Sequence, residues 1–387
     1  MLDKMKAIVL GGAGVMGSYA VGVLSKGKIF SEVKVADINE EVGKDMERKM
    51  DGVEFLRVDA TSREDLSRVM KDADVVVNCV GPFYKFAPGI VETAINNGVD
   101  YVDICDDYDV TQKLLDEMDG KAKKEGVTCI VGLGASPGIT NVIAAHASSM
   151  LSSVNEITVY VTRGIKEEAG GAIPYHMLHC WLGEIPVYTG GEYRRAKGLV
   201  EGKEWVKFPQ PFGEASVYYF GHPETVTLPR YIRGVRNVSC KGTFFPQEFR
   251  EILLQLQSTG LLSPEPINVK GMNISPLDFL ASYITSTVKK MSNLPDIPEG
   301  GAVMVRVNGE KDGEEMEYIF SGVSRMREAT ATPVAVGAEM MAKGEIKMHG
   351  VNAPEACVPP RDFLNRLIKE NIFSRVWMTK TEILKEL

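Results

Sequence analysis

The sequence has little from which a disulfide framework or a membrane segment could be built. Six cysteines are spread over 387 residues without a CxxC pair, which favours free thiols in a reducing compartment. No apolar run approaches the roughly 20 residues that a transmembrane helix needs. The first ten residues also lack the apolar core of a signal peptide. These absences predict a cytoplasmic protein with no membrane partner.

Basic residues are outnumbered, and they form no run. The chain has 44 Lys and Arg against 52 Asp and Glu, a net charge of −8. A surface of this sign repels phosphates, so nucleic acid and anionic membranes are not expected partners. The hydrophobic content of 44% is ordinary for a globular protein. At this length one compact core does not suffice, and we expect more than one domain.

Apolar, β-branched runs alternate with helical patterns over the first third of the chain. The run Val75-Val76-Val77 is typical of a strand that is buried on both faces of a parallel sheet. Strands joined by helical crossovers predict a Rossmann-type doubly wound α/β domain over residues 1–135, with its ligand beyond the carboxyl ends of the strands. The predicted strands are 6–10, 33–38, 53–58, 75–80, 101–105 and 128–132.

After residue 135 the pattern changes to short strands interrupted by glycine, proline and aromatic residues. This pattern predicts a second domain over 136–332, of α+β class with a mostly antiparallel sheet. Within it, 247–256 is predicted as a helix and 263–275 as a loop. The last segment, 333–387, is predicted as helix, short strand and helix, and we expect part of it to pack back on the Rossmann domain.

Residues 12–17 form a GxGxxG motif between the first strand and the first helical pattern. Gly12 allows a tight turn, Gly14 lets the backbone approach a pyrophosphate, and Gly17 permits close packing of the helix. The helix N-terminus, including Val15 and Met16, offers free N–H groups to the phosphates. The motif therefore predicts a dinucleotide site, and the alternative is a tight turn without a ligand.

Asp37 follows the last glycine of the motif by 20 residues, at the end of the second predicted strand. A carboxylate there accepts hydrogen bonds from the adenosine ribose hydroxyls. It would also repel a 2′-phosphate, and Ile38 and Asn39 supply no arginine to offset that repulsion. We therefore expect NAD rather than NADP.

Other residues that follow strands are expected at the same edge of the sheet. In the segment Ser136-Pro137-Gly138, the serine is interpreted as a helix cap and the proline as the first helical residue. This leaves an exposed helix N-terminus for the nicotinamide amide or a substrate carboxylate, although a plain joining helix would look the same. The further predicted cofactor contacts are Asp59, Asn78, Val80, Gly81 and Ser136.

Several separated segments, taken in order, resemble the saccharopine dehydrogenase-like family, which includes saccharopine reductase, lysine 6-dehydrogenase and carboxynorspermidine dehydrogenase. The segments are GGAGVMG at 11–17, VDAT at 58–61, NCVGPF at 78–83, GVDYVDICDD at 98–107, GLGASPGITN at 132–141 and GVNAPE at 350–355. The resemblance implies an NAD(P)-dependent oxidoreductase that acts at a C–N bond of an amino acid or related amine. It also implies that the second domain, 136–332, supplies substrate contacts and the interface of a homodimer. Ser136 stands where saccharopine reductase carries aspartate, so lysine 6-dehydrogenase-like members are more similar at this position.

Oxidation of an amine needs a base of pKa near 7 close to the nitrogen, and histidine meets that need. His176 and His179 share a face if residues 175–182 are helical, and in the lysine 6-dehydrogenase-like members these positions carry lysine and tryptophan. The alternative is a structural role, in which one histidine packs in the interior while the other is solvated. Without a further ligand pair near this motif, no metal is expected. The predicted catalytic residues are His176, His179 and Asp103, and the predicted substrate contacts are Asp106, His222 and Arg230.

The first hypothesis is therefore hydride transfer between a bound nicotinamide and an amine or amino acid in the cleft between the domains. Two alternatives stay open. One is a reductase of an imine formed by condensation, of the saccharopine or carboxynorspermidine type. The other is a non-catalytic dinucleotide-binding sensor, which needs the glycine motif but no base.

Overall fold

The computed structural model describes residues 5–165, 172–291, 297–373 and 375–383. The strands are β1 (Lys6–Leu10), β2 (Glu32–Asp37), β3 (Val53–Arg57), β4 (Val75–Asn78), β5 (Asp100–Asp103), β6 (Thr128–Ile130), β7 (Ser153–Gly164), β8 (Glu184–Thr189), β9 (Glu192–Lys197), β10 (Glu204–Lys207), β11 (Glu214–Tyr219), β12 (Asn237–Phe245), β13 (Ile267–Val269), β14 (Met272–Ile274), β15 (Gly301–Lys311), β16 (Glu314–Ser324), β17 (Gly350–Asn352) and β18 (Arg375–Ile383). The helices are α1 (Val15–Gly27), α2 (Glu40–Lys49), α3 (Arg63–Met70), α4 (Phe83–Asn96), α5 (Tyr108–Glu117), α6 (Asp119–Glu125), α7 (Ile139–Ser148), α8 (Ile173–Cys180), α9 (Glu224–Tyr231), α10 (Phe249–Ser258), α11 (Pro276–Met291), α12 (Met326–Ala342), α13 (Pro354–Cys357) and α14 (Pro360–Lys369).

The chain divides into two compact units. Unit 1 comprises Met1–Met150, Arg230–Ile232 and Arg327–Phe373, and unit 2 comprises the remaining segments, Leu151–Pro229, Arg233–Met326 and Ser374–Leu387. Each unit is therefore assembled from stretches that are distant in sequence. Of the helices described, none combines the length and the apolar character that crossing a membrane would require.

Unit 1 is built on a seven-stranded parallel sheet with the strand order β17-β6-β5-β4-β1-β2-β3. The chain runs outward from β1 to β3 on one side and from β4 to β6 on the other, so the sheet order reverses between β1 and β4. The Val75-Val76-Val77 run of β4 is at most 1% exposed, as a central strand requires. The predicted Rossmann-type doubly wound sheet is confirmed.

The seventh strand of this sheet comes from the C-terminal part of the chain. β17 pairs in parallel with β6, and Val351 is the register partner of Cys129. The flanking helix α14 packs against α7 through a face that includes Phe363 and Leu367, both fully buried. Residues close to the C-terminus therefore complete the sheet that the N-terminus begins.

Unit 2 contains a nine-stranded sheet whose main path is β10-β11-β12-β7-β15-β16-β18, with β8 attached to β12 and β9 attached to β8. Every pair is antiparallel except β12 with β7. Tyr160, Phe208 and Phe212 belong to the core cluster on this sheet. The predicted α+β fold with a mostly antiparallel sheet is confirmed.

The prediction of a loop over 263–275 is wrong, since β13 and β14 form a hairpin there. The turn residues Lys270 and Gly271 both have positive φ, of 51° and 87°, and a two-residue turn of this kind matches the twist of a hairpin. Ile267 of β13 and Met272 of β14 are more than half exposed, so the usual alternation of buried and exposed residues is missing.

Candidate functional site

The glycine motif of unit 1 forms a loop that has no room for side chains. Gly11, the residue before the motif, has a left-handed backbone at φ +70°. A Cβ atom on Gly17 would lie 2.1 Å from the carbonyl oxygen of Gly11, which excludes any other residue. The loop leads into α1, whose first-turn N–H groups have no partner within the helix. A loop that is closed to side chains and open to a ligand backbone fits a pyrophosphate.

Asp37, at the end of β2, holds this loop in place. Its Oδ2 atom accepts the N–H of Ala13 at 2.9 Å, and its Oδ1 atom accepts the N–H of Asn39 at the same distance. The carboxylate thus lies beside the glycine loop and is half-buried. This is the position in which a carboxylate receives the ribose hydroxyls of a bound dinucleotide.

Arg57, at the end of β3, is the register partner of Asp37 and is exposed. Its positive charge lowers the pKa of two carboxyl groups near the same edge. Lys44 and then Arg57 lower the pKa of Glu40, and hydrogen bonds from Thr61 and then the charge of Arg57 lower the pKa of Asp59. A cation therefore stands at the level where the sequence alone indicated only an anion.

The remaining predicted cofactor residues all belong to unit 1 and lie beyond the carboxyl ends of its strands. Asp59 follows β3, Asn78 ends β4, and Val80 and Gly81 follow it. The backbone of Cys79 and Val80 packs against the glycine loop. A Cβ atom built on Gly11 would lie only 3.0 Å from this backbone. These residues thus lie at the same edge of the sheet as the glycine loop, and their role as cofactor contacts stays a prediction.

Ser136 also lies at this edge, but the helix beside it starts later than predicted. The Ser136–Pro137 peptide is cis, Gly138 is the N-cap, and α7 begins at Ile139. The N–H groups of Ile139 and Thr140 donate to the carbonyls of Gly134 and Ala135. The predicted exposed helix N-terminus is therefore wrong, because the preceding loop folds back and uses those N–H groups.

Asp103, at the end of β5, is fully buried. Its Oδ2 atom accepts the Tyr101 hydroxyl at 2.7 Å, and its Oδ1 atom accepts the N–H groups of Cys105 at 3.0 Å and Gly132 at 2.7 Å. Burial raises the pKa of Asp103 to about 6. A catalytic role in contact with substrate stays a prediction, and these contacts do not support it.

Unit 2 brings together two of the predicted histidines. The helix predicted over 175–182 is α8, so His176 and His179 lie one turn apart. The ring of His176 meets the ring of His222 edge to face, with 5.7 Å between the centroids. His222 follows β11 and is 4% exposed, and its ring also contacts Phe220 at 5.0 Å.

Glu224, the first residue of α9, is fully buried beside His222. Its Oε2 atom lies 2.6 Å from Nδ1 of His222, and the Cys240 thiol donates to the same oxygen at 3.9 Å. Burial and then the Glu224 charge hold the pKa of Cys240 well above its ordinary range, so its sulfur stays protonated. Glu224 and Cys240 were not predicted as site residues, and the spacing His222-Pro223-Glu224 was the one signal for the pair.

Two further predicted substrate contacts lie in unit 1. Arg230 forms an ion pair with Asp116 of α5, at 2.5 Å between Nη1 and Oδ1. Asp106 follows β5 and is half-buried. Their contact with substrate stays a prediction, as does that of His222.

Comparison with known proteins gives two matches to family descriptions. Residues 7–130 match the saccharopine dehydrogenase NADP binding domain, and residues 134–372 match the saccharopine dehydrogenase C-terminal domain. The chain belongs to the saccharopine dehydrogenase family. The predicted family is thereby confirmed, and the match to an NADP binding domain supports a nicotinamide dinucleotide as the cofactor.

The alignments with named relatives span most of this chain. A carboxynorspermidine synthase of Vibrio cholerae is 25% identical over 287 residues, which is 70% of this chain but 66% of that protein, just under two thirds of its length. A carboxyaminopropylagmatine dehydrogenase of Synechocystis is 22% identical over 340 residues, 81% of this chain and 83% of that protein. The apo saccharopine dehydrogenase (L-Glu forming) of Saccharomyces cerevisiae superimposes with a TM-score of 0.69 at 16% identity, over 98% of this chain and 100% of that one, which shows a shared fold.

Proposed function

We propose that this chain transfers hydride between a nicotinamide dinucleotide and a carbon bonded to nitrogen in an amino acid or related amine. The observation that carries the proposal is the buried pair of His222 and Glu224 in unit 2, with His176 against the His222 ring. The glycine loop and Asp37 of unit 1 would hold the dinucleotide. When bound, the nicotinamide supplies the hydride acceptor or donor.

The pair is suited to moving a proton at an amine nitrogen. An ionised carboxylate can only accept hydrogen bonds, so the hydrogen in the 2.6 Å contact belongs to Nδ1 of His222. The other ring nitrogen, Nε2, is then the basic one. Glu224 would thus orient the imidazole and stabilise its charge after it takes a proton from a substrate ammonium.

The relatives support an amine that also bears a carboxyl group. Both named relatives carry "carboxy" and an amine-derived compound in their names, one as a synthase and one as a dehydrogenase. This favours the secondary-amine chemistry of an imine reductase alongside the lysine 6-dehydrogenase-like reaction. Substrate, direction, cytoplasmic location and the homodimer stay predictions.

The proposed dinucleotide is NAD. Asp37 is fixed beside the glycine loop, where its charge opposes a 2′-phosphate. The family description names NADP, and Arg57 lies level with Asp37 in the next strand. Binding of both dinucleotides should therefore be measured.

A two-directional assay tests the proposal. NAD(P)⁺ reduction is followed with lysine, ornithine and carboxyl-bearing polyamines, and NAD(P)H oxidation with mixtures of aldehydes and amines. We expect turnover in this panel, and His222→Ala should lower kcat by about 10²–10⁴-fold because the proton acceptor is lost. Glu224→Gln should lower kcat less, since the imidazole remains. His349→Ala, at an exposed histidine of unit 1, is the matched control.

Two outcomes count against the proposal. Turnover that His222→Ala leaves unchanged would remove the pair from the chemistry. Tight NADH binding without turnover over the whole panel would favour the non-catalytic sensor.

A further inference from the structure

A chain of buried hydrogen bonds runs sideways beneath the edge of the unit 1 sheet. The N–H of Val80 donates to Oδ1 of Asn78 at 3.0 Å, and Nδ2 of Asn78 donates to the Tyr101 hydroxyl at 2.8 Å. That hydroxyl donates to Oδ2 of Asp103 at 2.7 Å. Asn78, Tyr101 and Asp103 are all fully buried, so each bond in the chain replaces one to water.

The direction of every bond in this chain is fixed from one end. A backbone N–H can only donate, so the Asn78 atom that faces Val80 is its oxygen and the one that faces Tyr101 is its NH₂ group. The Tyr101 oxygen therefore accepts from Asn78, and its own hydrogen must go elsewhere. Among the described residues, the acceptor it contacts is Asp103. The chain is thus complete only when Asp103 accepts.

Asp103 also holds a second segment at the same edge. Its Oδ1 atom accepts the N–H of Gly132, and its carbonyl oxygen accepts the N–H of Leu133 at 2.7 Å. These two residues begin the loop that leads to Ser136. On the other side, the backbone of Cys79 and Val80 lies against the glycine loop. One carboxylate therefore connects the segment after β4 with the segment after β6.

Of the titratable groups described around Asp103, its own carboxyl group is the one whose protonation changes near neutral pH. Cys79, Cys105 and Cys129, from three neighbouring strands, have pKa values raised mainly by burial, and so does Tyr101. They stay protonated up to pH 8. The charge of Asp106, which follows β5, adds to burial in raising the pKa of Asp103.

We propose that Asp103 is a positioning residue, which in its ionised form fixes the 78–82 and 132–136 segments that receive the nicotinamide half of the cofactor. The binding of a dinucleotide rests on the proposed function, and its placement at these segments rests on the predicted contacts Asn78, Val80, Gly81 and Ser136. Protonation of Asp103 adds a hydrogen that points at the Tyr101 oxygen, which already accepts from Asn78. The hydroxyl hydrogen of Tyr101 then loses its acceptor, and the chain that orients Asn78 towards Val80 is no longer held at its Asp103 end.

The test measures NADH binding by fluorescence titration from pH 5 to pH 8. For the unchanged protein we expect the Kd for NADH to rise about tenfold from pH 7.5 to pH 5, because a carboxyl of pKa 6 is then largely protonated. Asp103→Asn is isosteric with the protonated form, since its NH₂ group faces the hydroxyl. This variant should bind NADH about tenfold more weakly at pH 7.5 and show no change down to pH 5.

Asp100→Asn is the matched control. Asp100 also lies on β5 and accepts a backbone N–H from β6, that of Thr128 at 2.8 Å, but at the opposite end of the strand. Burial raises its pKa as well. Its variant should keep the pH dependence of the unchanged protein. A loss of that dependence in Asp100→Asn, or its retention in Asp103→Asn, would overturn the proposal.

Tyr101→Phe provides a second arm if Asp103→Asn does not fold. It removes the hydroxyl that relays the charge to Asn78, so the protection factor of the Val80 amide, its exchange rate relative to an unstructured peptide at the same pH, should fall at pH 7.5 and no longer change between pH 5 and 8. Exchange at Val80 as slow as in the unchanged protein would contradict the relay. Because these readouts need no turnover, the inference can fail while the amine chemistry stands, and the reverse.

Discussion

At the scale of single residues, Asp37 and Arg57 place opposite charges at the same level of two neighbouring strands, β2 and β3. We predict that Asp37→Asn improves NADPH binding relative to NADH at least tenfold. Removing the negative charge ends its repulsion of a 2′-phosphate, while Arg57 remains as a cation for that phosphate. Kd values for NADH and NADPH from fluorescence titration measure the effect.

The companion variants separate the two charges. Adding Arg57→Ala to Asp37→Asn should cancel the gain in NADPH binding, at a cost of about 1.5–3 kcal/mol for the lost charged hydrogen bond. Asp51→Asn, at an exposed acid in the turn before β3, should leave both Kd values unchanged. A double variant that still prefers NADPH would show that Arg57 does not contact the phosphate.

The contacts of fully buried polar side chains are the part of the candidate site that could not be predicted from the sequence. GxGxxG and Asp37 were predictable because backbone geometry demands glycine and the strand end demands an acid. Asp103 was predicted as a catalytic residue and Glu224 was not assigned, but nothing in the neighbours of either acid shows that it is fully buried. Their partners, His222 and Tyr101, reach them only through the folded chain.

At the scale of strands and helices, Glu204 ties β10 to three other strands of the unit 2 sheet. It accepts from Lys241 of β12 at 2.6 Å, from Arg306 of β15 at 2.9 Å and from the Tyr160 hydroxyl of β7 at 3.0 Å. We predict that Glu204→Gln lowers the free energy of unfolding by about 2 kcal/mol at pH 7, because charged hydrogen bonds are lost. Urea unfolding followed by tryptophan fluorescence measures the change.

The effect of Glu204→Gln should depend on pH in one direction. Burial raises the pKa of Glu204, but Lys241 and Arg306 outweigh it and hold the pKa below the ordinary value of 4.5. The stabilisation by the ionised group is therefore present above pH 4.5 and is lost as the pH falls through the lower folded pKa. The two proteins should converge at that acidic end. Glu192→Gln, on the exposed strand β9, is the control, and a difference that persists at the lowest pH would contradict the ionic explanation.

Elements were predictable from the sequence where burial imposes a pattern. β1 and β4 are nearly continuous apolar runs because both faces of a central parallel strand are covered. β9 is exposed along almost its whole length and carries Tyr193, Arg194 and Arg195 in succession, so no alternation marks it as a strand. The hairpin of β13 and β14 escapes notice for the same reason.

At the scale of the whole molecule, each unit is assembled from segments far apart in sequence. β17 has three residues, and its place beside β6 is decided by packing of the helices that flank it. A short strand in the tail can be predicted from the sequence. Its neighbour and register cannot, because three residues carry too little pattern to choose among the edges of two sheets.

The assembly of unit 1 has a consequence for stability, since its C-terminal segment and the dinucleotide loop belong to one compact unit. We predict that Leu367→Ala, at a fully buried residue of α14, lowers the free energy of unfolding by about 2–5 kcal/mol. Ile368→Ala, at the next residue, which is 55% exposed, should change it by less than about 0.5 kcal/mol.

Calorimetry with and without NADH tests which unfolding transition Leu367→Ala destabilises. NADH at 100 times its Kd should stabilise by about 2.7 kcal/mol the same transition that Leu367→Ala lowers. If Leu367→Ala instead lowered a transition that NADH does not move, the C-terminal segment would be folding separately from the cofactor site.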